Sequence, residues 1–253
     1  MPLSDITILI TSFLRPGYLN ECLWGCHYLK DDGCKVLVVD DSGYNYPLVS
    51  SLGEEHATSI PAIYLPFDSG LTVKRNAGVR ACQTEYVFVG ADDFDFMTKG
   101  FKEGLVQAAA LLDTNPEIDL VGGRVDNNPY ESNLEYDAEN NVMRERRLVP
   151  DNYHYQKCDL VVNAFLARTS VLREVPWDED VRPIGGEHGQ FFWHMKKASK
   201  TTVILRGLNI NTIQLGQGLE VQDPRYGQFR RRAFAAGHTI MLRKEGWKDW
   251  IGA

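Results

Sequence analysis

The chain has no apolar run near the roughly 20 residues that a membrane-crossing helix requires. Its opening, Met1-Pro2-Leu3-Ser4-Asp5, has neither the basic region nor the apolar core of a signal peptide. A protein without a transmembrane segment, working in the cytoplasm, is the expectation. Cysteine is sparse and odd in number: Cys22, Cys26, Cys34, Cys82 and Cys158 include no CxxC pair and read as buried thiols. Cys22 and Cys26 stand one helical turn apart, but no His or second Cys pair falls at ligand spacing. Positive charge is in deficit as well, 27 basic against 34 acidic residues for a net charge of −7. The surface as a whole therefore does not attract nucleic acid or anionic membrane, although a local basic patch is allowed. Internal repeats and low-complexity segments are missing too.

What is present is an ordinary globular composition, 43% hydrophobic and 24% charged over 253 residues, enough for one large domain spanning 1–253. The first 125 residues alternate strand and helix signals. Strands are predicted at Ile6 to Thr11, Lys35 to Val39, Ala62 to Leu65, Tyr86 to Val89 and Asp119 to Gly122, with helices at about Tyr18 to Leu29, Leu71 to Cys82 and Gly100 to Leu112. That order implies an α/β fold with a mostly parallel central sheet flanked by helices. Residues 126–157, rich in Asn, Asp, Glu, Arg and Tyr, read as a hairpin or irregular excursion that shapes a substrate site. A strand at Leu160 to Ala167, an aromatic-rich helix ending at Lys197, a strand at Thr202 to Leu205, a glycine-rich loop near 215–218 and a basic helix from about Tyr226 to Glu245 complete the chain.

The most informative stretch is Tyr86-Val87-Phe88-Val89-Gly90-Ala91-Asp92-Asp93-Phe94-Asp95, an apolar run that ends in three carboxylates within four positions. Carboxylates so close repel one another unless a hard cation such as Mg²⁺ or Mn²⁺ sits among them, and such a cation usually carries phosphates. A lone Asp-Asp after a strand is ordinarily a turn or a cap. Here, however, Thr11 to Pro16, Asp40-Asp41-Ser42 and Asp92 to Asp95 all follow predicted parallel strands, which puts them on the sheet edge where open α/β folds bind ligands.

Val38-Val39-Asp40-Asp41-Ser42, Gly70-Leu71-Thr72-Val73-Lys74-Arg75-Asn76-Ala77-Gly78 and Ala91-Asp92-Asp93-Phe94 resemble, in order and spacing, the nucleotide-sugar-binding half of inverting GT-A glycosyltransferases, particularly glycosyltransferase family 2. The resemblance covers residues 5–125 and divides the chain into a nucleotide-sugar half at 1–125, an acceptor half at 126–225 and a basic helix at 226–253. It implies a nucleotide diphosphate sugar donor, a uridine diphosphate sugar foremost, with Mn²⁺ or Mg²⁺. Thr11 and Arg15 are then expected along the nucleotide, Asp41 at the uracil edge, and Arg75 and Asn76 near the diphosphate and ribose. The family's DxD metal motif falls on the acid cluster without its first acid. In an Asp-Asp-Asp-Phe register Ala91 replaces that acid and Asp93, supported by Asp92, is the ligand; in an Asp-Ala-Asp-Asp register Gly90 replaces it and Asp92 takes the role. A literal DxD, Asp93-Phe94-Asp95, is also present.

A second segment, Pro183-Ile184-Gly185-Gly186-Glu187-His188-Gly189-Gln190-Phe191-Phe192, resembles the Gly-Gly-Glu segment of galactosyl- and N-acetylgalactosaminyl-transferases, where a carboxylate activates the acceptor hydroxyl. Glu187 is the expected base, with His188 as its rival or as a metal ligand, while Gln190 stands where some relatives carry Asp. Phe191, Phe192 and Trp193 read chiefly as core. The basic run Arg230-Arg231-Arg232 is either a solvated face or a lid whose Arg230 and Arg231 neutralise the leaving diphosphate. A saccharide or glycoconjugate is the first acceptor reading. The same basic run with the polar excursion leaves a modified base in DNA as an alternative acceptor, and a noncatalytic nucleotide-sugar-binding protein is the rival from another class.

Overall fold

The computed structural model describes residues 3–43, 60–149, 151–182, 184–215 and 223–252. Pro183 and the 216–218 part of the glycine-rich loop lie outside the described residues. At the centre is β1 (Ile6–Ser12), whose seven residues are all buried, as an unbroken run of Ile, Leu and Thr in a doubly covered strand should be. β2 (Lys35–Asp40) lies parallel on one side with β3 (Ala62–Tyr64) beyond it, and β4 (Tyr86–Ala91) lies parallel on the other. α1 (Pro16–Asp31) connects β1 to β2 and α2 (Leu71–Ala81) connects β3 to β4. Pro16 opens α1, a position whose N–H has no intrahelical partner in any case.

After β4 come the short β5 (Phe94–Asp95), α3 (Phe101–Thr114) and β6 (Leu120–Val125). The polar excursion resolves into a hairpin, β7 (Ser132–Asp137) with β8 (Val142–Arg147), followed by β9 (Tyr155–Cys158). β10 (Phe165–Arg168), α4 (Thr169–Glu174), α5 (Glu187–Lys197), β11 (Thr202–Thr212), α6 (Tyr226–Glu245) and β12 (Asp249–Ile251) follow. The main sheet runs β3-β2-β1-β4-β10-β6-β11-β5, with β9 also paired to β11; β7, β8 and β12 form a second small sheet.

The α/β architecture with flanking helices is as the sequence implied, and the sheet is more mixed than its first half suggested. β10 enters antiparallel between β4 and β6, and β9 and β5 pair antiparallel with β11. Only four residues of the apolar stretch at 160–167 and its neighbour pair as β10, whereas β11 runs eleven residues, far past the apolar Thr202 to Leu205 segment. All five cysteines are buried and free. Phe88, Phe96 and Phe101 meet edge to face under one side of the sheet. On the other, Phe191 stacks on Trp177 at 4.3 Å and Phe192 meets Phe165 edge to face, so both phenylalanines are core, with half-buried Trp193 against Trp247.

α3 sits directly on β11 because Gly104 has no side chain: a Cβ there would come within 2.5 Å of the Gly207 carbonyl oxygen and 2.8 Å of Leu208 Cα. Both are backbone atoms that cannot swing aside. Gly104→Ala should therefore lower stability by about 1–3 kcal/mol, the usual cost of overpacking, read as a lower urea midpoint with an unchanged slope. An unchanged midpoint would show that α3 can lift from the sheet without loss.

Candidate active site

The register of the central strands brings the three clusters together, pairing Ser12 with Asp40 and Thr11 with Ala91. On that rim opens a cleft of about 1110 Å³. Thr11, Arg15, Asp41, Arg75, Asp92 and Asp93 all line it, as do Glu187, His188 and Arg230. Asn76, Asp95 and Arg231 do not.

The acid pair is held by one guanidinium. Arg15 donates from Nη1 to Asp92 at 2.9 Å and from Nη2 to Asp93 at 3.0 Å, while Ser12 Oγ donates to the other Asp92 oxygen at 2.8 Å. The Arg15 plane lies 4.2 Å from the centre of the Tyr18 ring and 5.3 Å from that of Tyr226. Arg15 is turned back over the rim by Leu14, whose backbone is left-handed at φ 55°, a conformation that costs a non-glycine residue about 1–2 kcal/mol. The turn is tied on both sides, the Leu14 N–H to Ser42 Oγ at 2.7 Å and its carbonyl to the Asp223 N–H at 2.8 Å. Burial pushes the Asp92 carboxyl up to about 6, with the Asp93 charge adding to it and Arg15, Ser12 and Lys74 opposing.

Asp41 is 1% exposed and engaged on both oxygens, by Lys74 Nζ at 2.5 Å and by the Gly70 N–H at 2.9 Å. Lys74 also donates to the Ser12 carbonyl at 2.9 Å. It is the residue of the Lys74-Arg75-Asn76 run that sequence reasoning passed over, and helical spacing could have found it: Leu71, Lys74 and Arg75 at i, i+3 and i+4 face the cleft. Asn76 turns the other way. Its amide donates to the Trp177 carbonyl at 2.8 Å and its oxygen accepts from the Trp177 N–H at 3.0 Å. Instead of reaching a ribose, it holds the chain leading to α5.

The same periodicity corrects the basic run. Tyr226, Phe229, Arg230, Ala233 and Phe234 of α6 line the cleft at helical spacing, Arg232 of the same run joins them from outside that stripe, and Arg231 does not line it. Asp95 is displaced for a different reason. β5 pairs it with Asn211, its Oδ1 accepts from the Met97 N–H at 2.8 Å, and it faces a separate depression beside Trp24 and Asp126. The literal DxD therefore does not converge on one site.

At the far side Glu187 begins α5. One carboxylate oxygen accepts from the Gly185 and Gly186 N–H groups at 2.8 and 3.2 Å, and the other lies 3.9 Å from Arg75. Burial pulls the Arg75 guanidinium down to about 10 against the attraction of Glu187, and its Nε and Nη1 have no hydrogen-bond partner. His188 Nδ1 sits 2.7 Å from Asn163 Oδ1, which accepts, so the Nε2 of the neutral ring carries a lone pair and is buried without a partner. Burial and the Arg75 charge push this imidazole down to about 3, so it is neutral at neutral pH. The Gly185-Gly186 pair has a steric purpose too. Gly185 has φ 110°, and Cβ atoms at 185 and 186 would come within 2.6 and 2.7 Å of the Phe234 and Gly237 carbonyl oxygens. The two glycines let the α6 backbone close directly over Glu187. Gln190 lies outside this cleft, donating to Glu245 of α6 at 2.9 Å.

Among the described residues no group of three His, Cys, Asp or Glu side chains forms a metal cage. Asp93, a quarter exposed at the cleft with one oxygen taken by Arg15, suits a cation that takes most of its ligands from a diphosphate and water, as Mg²⁺ commonly does.

A parallel sheet edge carrying acids, a lysine and arginines over a large cleft, faced by a glutamate at a helix start, is the arrangement of the GT-A fold. The chain belongs to glycosyl transferase family 2, whose profile matches residues 7–176. It is 32% identical over 193 residues to beta-1,4 N-acetylgalactosaminyltransferase 2 of Mus musculus and 32% over 204 residues to beta-1,4 N-acetylgalactosaminyltransferase 1 of Homo sapiens, with 74% of this chain matched in each case. The match spans 35% of each of those proteins, about a third of their length. Among solved structures, S. aureus TarS superposes with TM-score 0.52 at 16% identity, over 94% of this chain and 69% of that one. The mannosyltransferase PcManGT of Pyrobaculum calidifontis, in complex with GDP-Man and Mn²⁺, gives 0.54 at 13%, over 94% and 64%. These two share the fold.

Folding raises the Asp92 pKa from 3.8 to about 6, so its contribution to stability is complete below about pH 4 and is lost as pH rises through 6. A ¹³C carboxyl titration of Asp92 should show a midpoint near 6. In Arg15→Gln, with burial and Asp93 unopposed by the guanidinium, the midpoint should move upward; a lower midpoint would contradict the ion pair.

Proposed function

We propose that the chain is an inverting glycosyltransferase that moves a sugar from a uridine diphosphate sugar to a hydroxyl of a saccharide or glycoconjugate, with Glu187 as the base. The observation that carries this is Glu187 itself, fixed by the Gly185 and Gly186 amides on the wall of the cleft that also holds Asp92 and Asp93. Inversion by direct displacement needs one base behind the anomeric carbon. The acceptor oxygen bonds to that carbon as the bond to the diphosphate oxygen breaks; the acceptor proton passes to Glu187 and the bonding electrons leave with the diphosphate. N-acetylgalactosamine is the transferred sugar, a choice supported by the names of the mouse and human relatives.

Position 90 is enclosed by Ile10 and Phe96, whereas Ala91 lines the cleft. This supports the Asp-Asp-Asp-Phe register, in which Asp93 would hold Mn²⁺ or Mg²⁺ against the diphosphate. The cation would supply charge neutralisation of the leaving group. Arg230 and Arg232 of α6 line the same cleft and add positive charge to it.

Glu187→Gln keeps the shape and can still accept from the Gly185 and Gly186 amides. It should lower kcat for transfer from UDP-N-acetylgalactosamine by about 10²–10⁴-fold, the usual worth of a general base, while UDP still raises the melting temperature in Mn²⁺. Asp93→Asn should instead abolish the dependence of that thermal shift on Mn²⁺. Tight UDP binding with no turnover in the unaltered chain would favour a binding module, and full activity in Glu187→Gln would remove the assigned base.

A further inference from the structure

The cleft continues past His188 onto a wall that the donor chemistry does not use. The wall is formed by Tyr130, just before β7, Glu145 on β8 and Trp250 on β12. Tyr130 is 46% exposed, a large aromatic left open at the mouth, with its ring centre 5.9 Å from that of His188. Trp250 lies over the first turn of α5, where a Cβ at Gly189 would come within 2.7 Å of the indole ring. Its Nε1 donates to Glu145 Oε1 at 2.6 Å. One bond joins the platform to the carboxylate and leaves that carboxylate further capacity to accept.

Among the described residues of the β7–β8 hairpin, Glu145 alone lines the cleft. Strand alternation turns Glu145 to the cleft and sends Arg144 and Arg146 to the opposite face. There Arg144 pairs with Asp137 at 3.2 Å and Arg146 with Glu135 at 2.9 Å, both across the hairpin on β7. His188 adds no charge, being neutral. The wall thus offers aromatic faces, which suit the apolar C–H side of a pyranose, and a carboxylate, which accepts from sugar hydroxyls and repels carboxylate, sulfate or phosphate substituents.

We propose that Tyr130, Glu145 and Trp250 form the acceptor subsite and that it selects a neutral pyranose over an acidic one. The proposal rests on the transferase reading above and adds to it the class of acceptor.

The test uses the full chain and saturation-transfer NMR with lactose, N-acetyllactosamine and the sialylated form of each, together with UDP-sugar hydrolysis measured without acceptor. Neutral sugars should bind at least tenfold more tightly than their sialylated forms. Tyr130→Ala should weaken them at least fivefold, and Glu145→Gln should narrow the neutral-to-acidic gap at least threefold, with the rise in melting temperature caused by UDP retained in both. Trp250→Phe keeps a flat ring and removes the N–H, which guards against loss of β12, and it should retain part of the affinity. The proposal is overturned if none of the neutral sugars binds, if the sialylated forms bind as tightly, or if Glu145→Gln leaves the gap unchanged. Selective sugar binding in a chain that hydrolyses no UDP-sugar would leave the subsite standing and remove the transferase reading alone.

Discussion

The arrangement depends on one electrostatic constraint: a wholly apolar strand ends in two adjacent carboxylates, and the first of them is buried. β4 cannot carry Asp92 and Asp93 to the rim unless something cancels their mutual repulsion and the cost of taking Asp92 out of water. Arg15 does so with two hydrogen bonds at about 3 Å, and Ser12 takes a remaining oxygen. That solution dictates the local chain. The guanidinium reaches back over the rim because Leu14 adopts a left-handed turn, and the turn persists because Ser42 and Asp223 hold its two backbone polar groups. Strain in the β1–α1 connection is thus offset by bonds from two other segments, one of them next to α6.

The second constraint is steric. α6 lies across the cleft only because Gly185 and Gly186 present no Cβ to its carbonyl oxygens, and Gln190, His194 and Lys197 of α5 converge on Glu245 near its far end. Burial raises the Glu245 carboxyl, but these three hydrogen bonds outweigh it and hold the group down at about 2, so the anchor stays charged throughout the neutral range. A helix fixed at one end by charge and at the middle by backbone contact leaves its first turns, with Tyr226, Phe229 and Arg230, to meet whatever enters the cleft.

Much of this was legible because strands and acids obey short-range rules. The apolar runs at 6–11, 35–39 and 86–89 read as covered strands, and the polar or acidic cluster following each had to share an edge. What was not legible came from pairings remote in sequence. β10 is a four-residue insert between β4 and β6, fixed by partners nearly 80 and about 45 residues away. Asp95 was misplaced because β5 is recruited by Asn211, over a hundred residues downstream, which turns the strand after Phe94 away from the cleft. Asn76 and Arg231 are a different case: Leu71, Lys74 and Arg75, and Tyr226, Phe229, Arg230 and Ala233, line the cleft at i, i+3, i+4 spacing, a helical stripe from which both residues are offset.

These constraints give the cleft a polarity that neither half could produce alone. Lys74 and Arg15 stand beside the parallel strands, and Arg230 reaches the same cleft from α6. Glu145 and Trp250 come from the small second sheet and Tyr130 from the segment leading into it, while Arg144 and Arg146 of β8 are paired with Asp137 and Glu135 of β7. Arg75 lies between, buried, drawn to Glu187 at 3.9 Å and with two nitrogens lacking partners. A buried guanidinium left short of partners is costly, so a polar group of the substrates entering between the two regions would gain from satisfying it. That position, beside the carboxylate proposed as base, would tie substrate binding to the alignment of an acceptor oxygen.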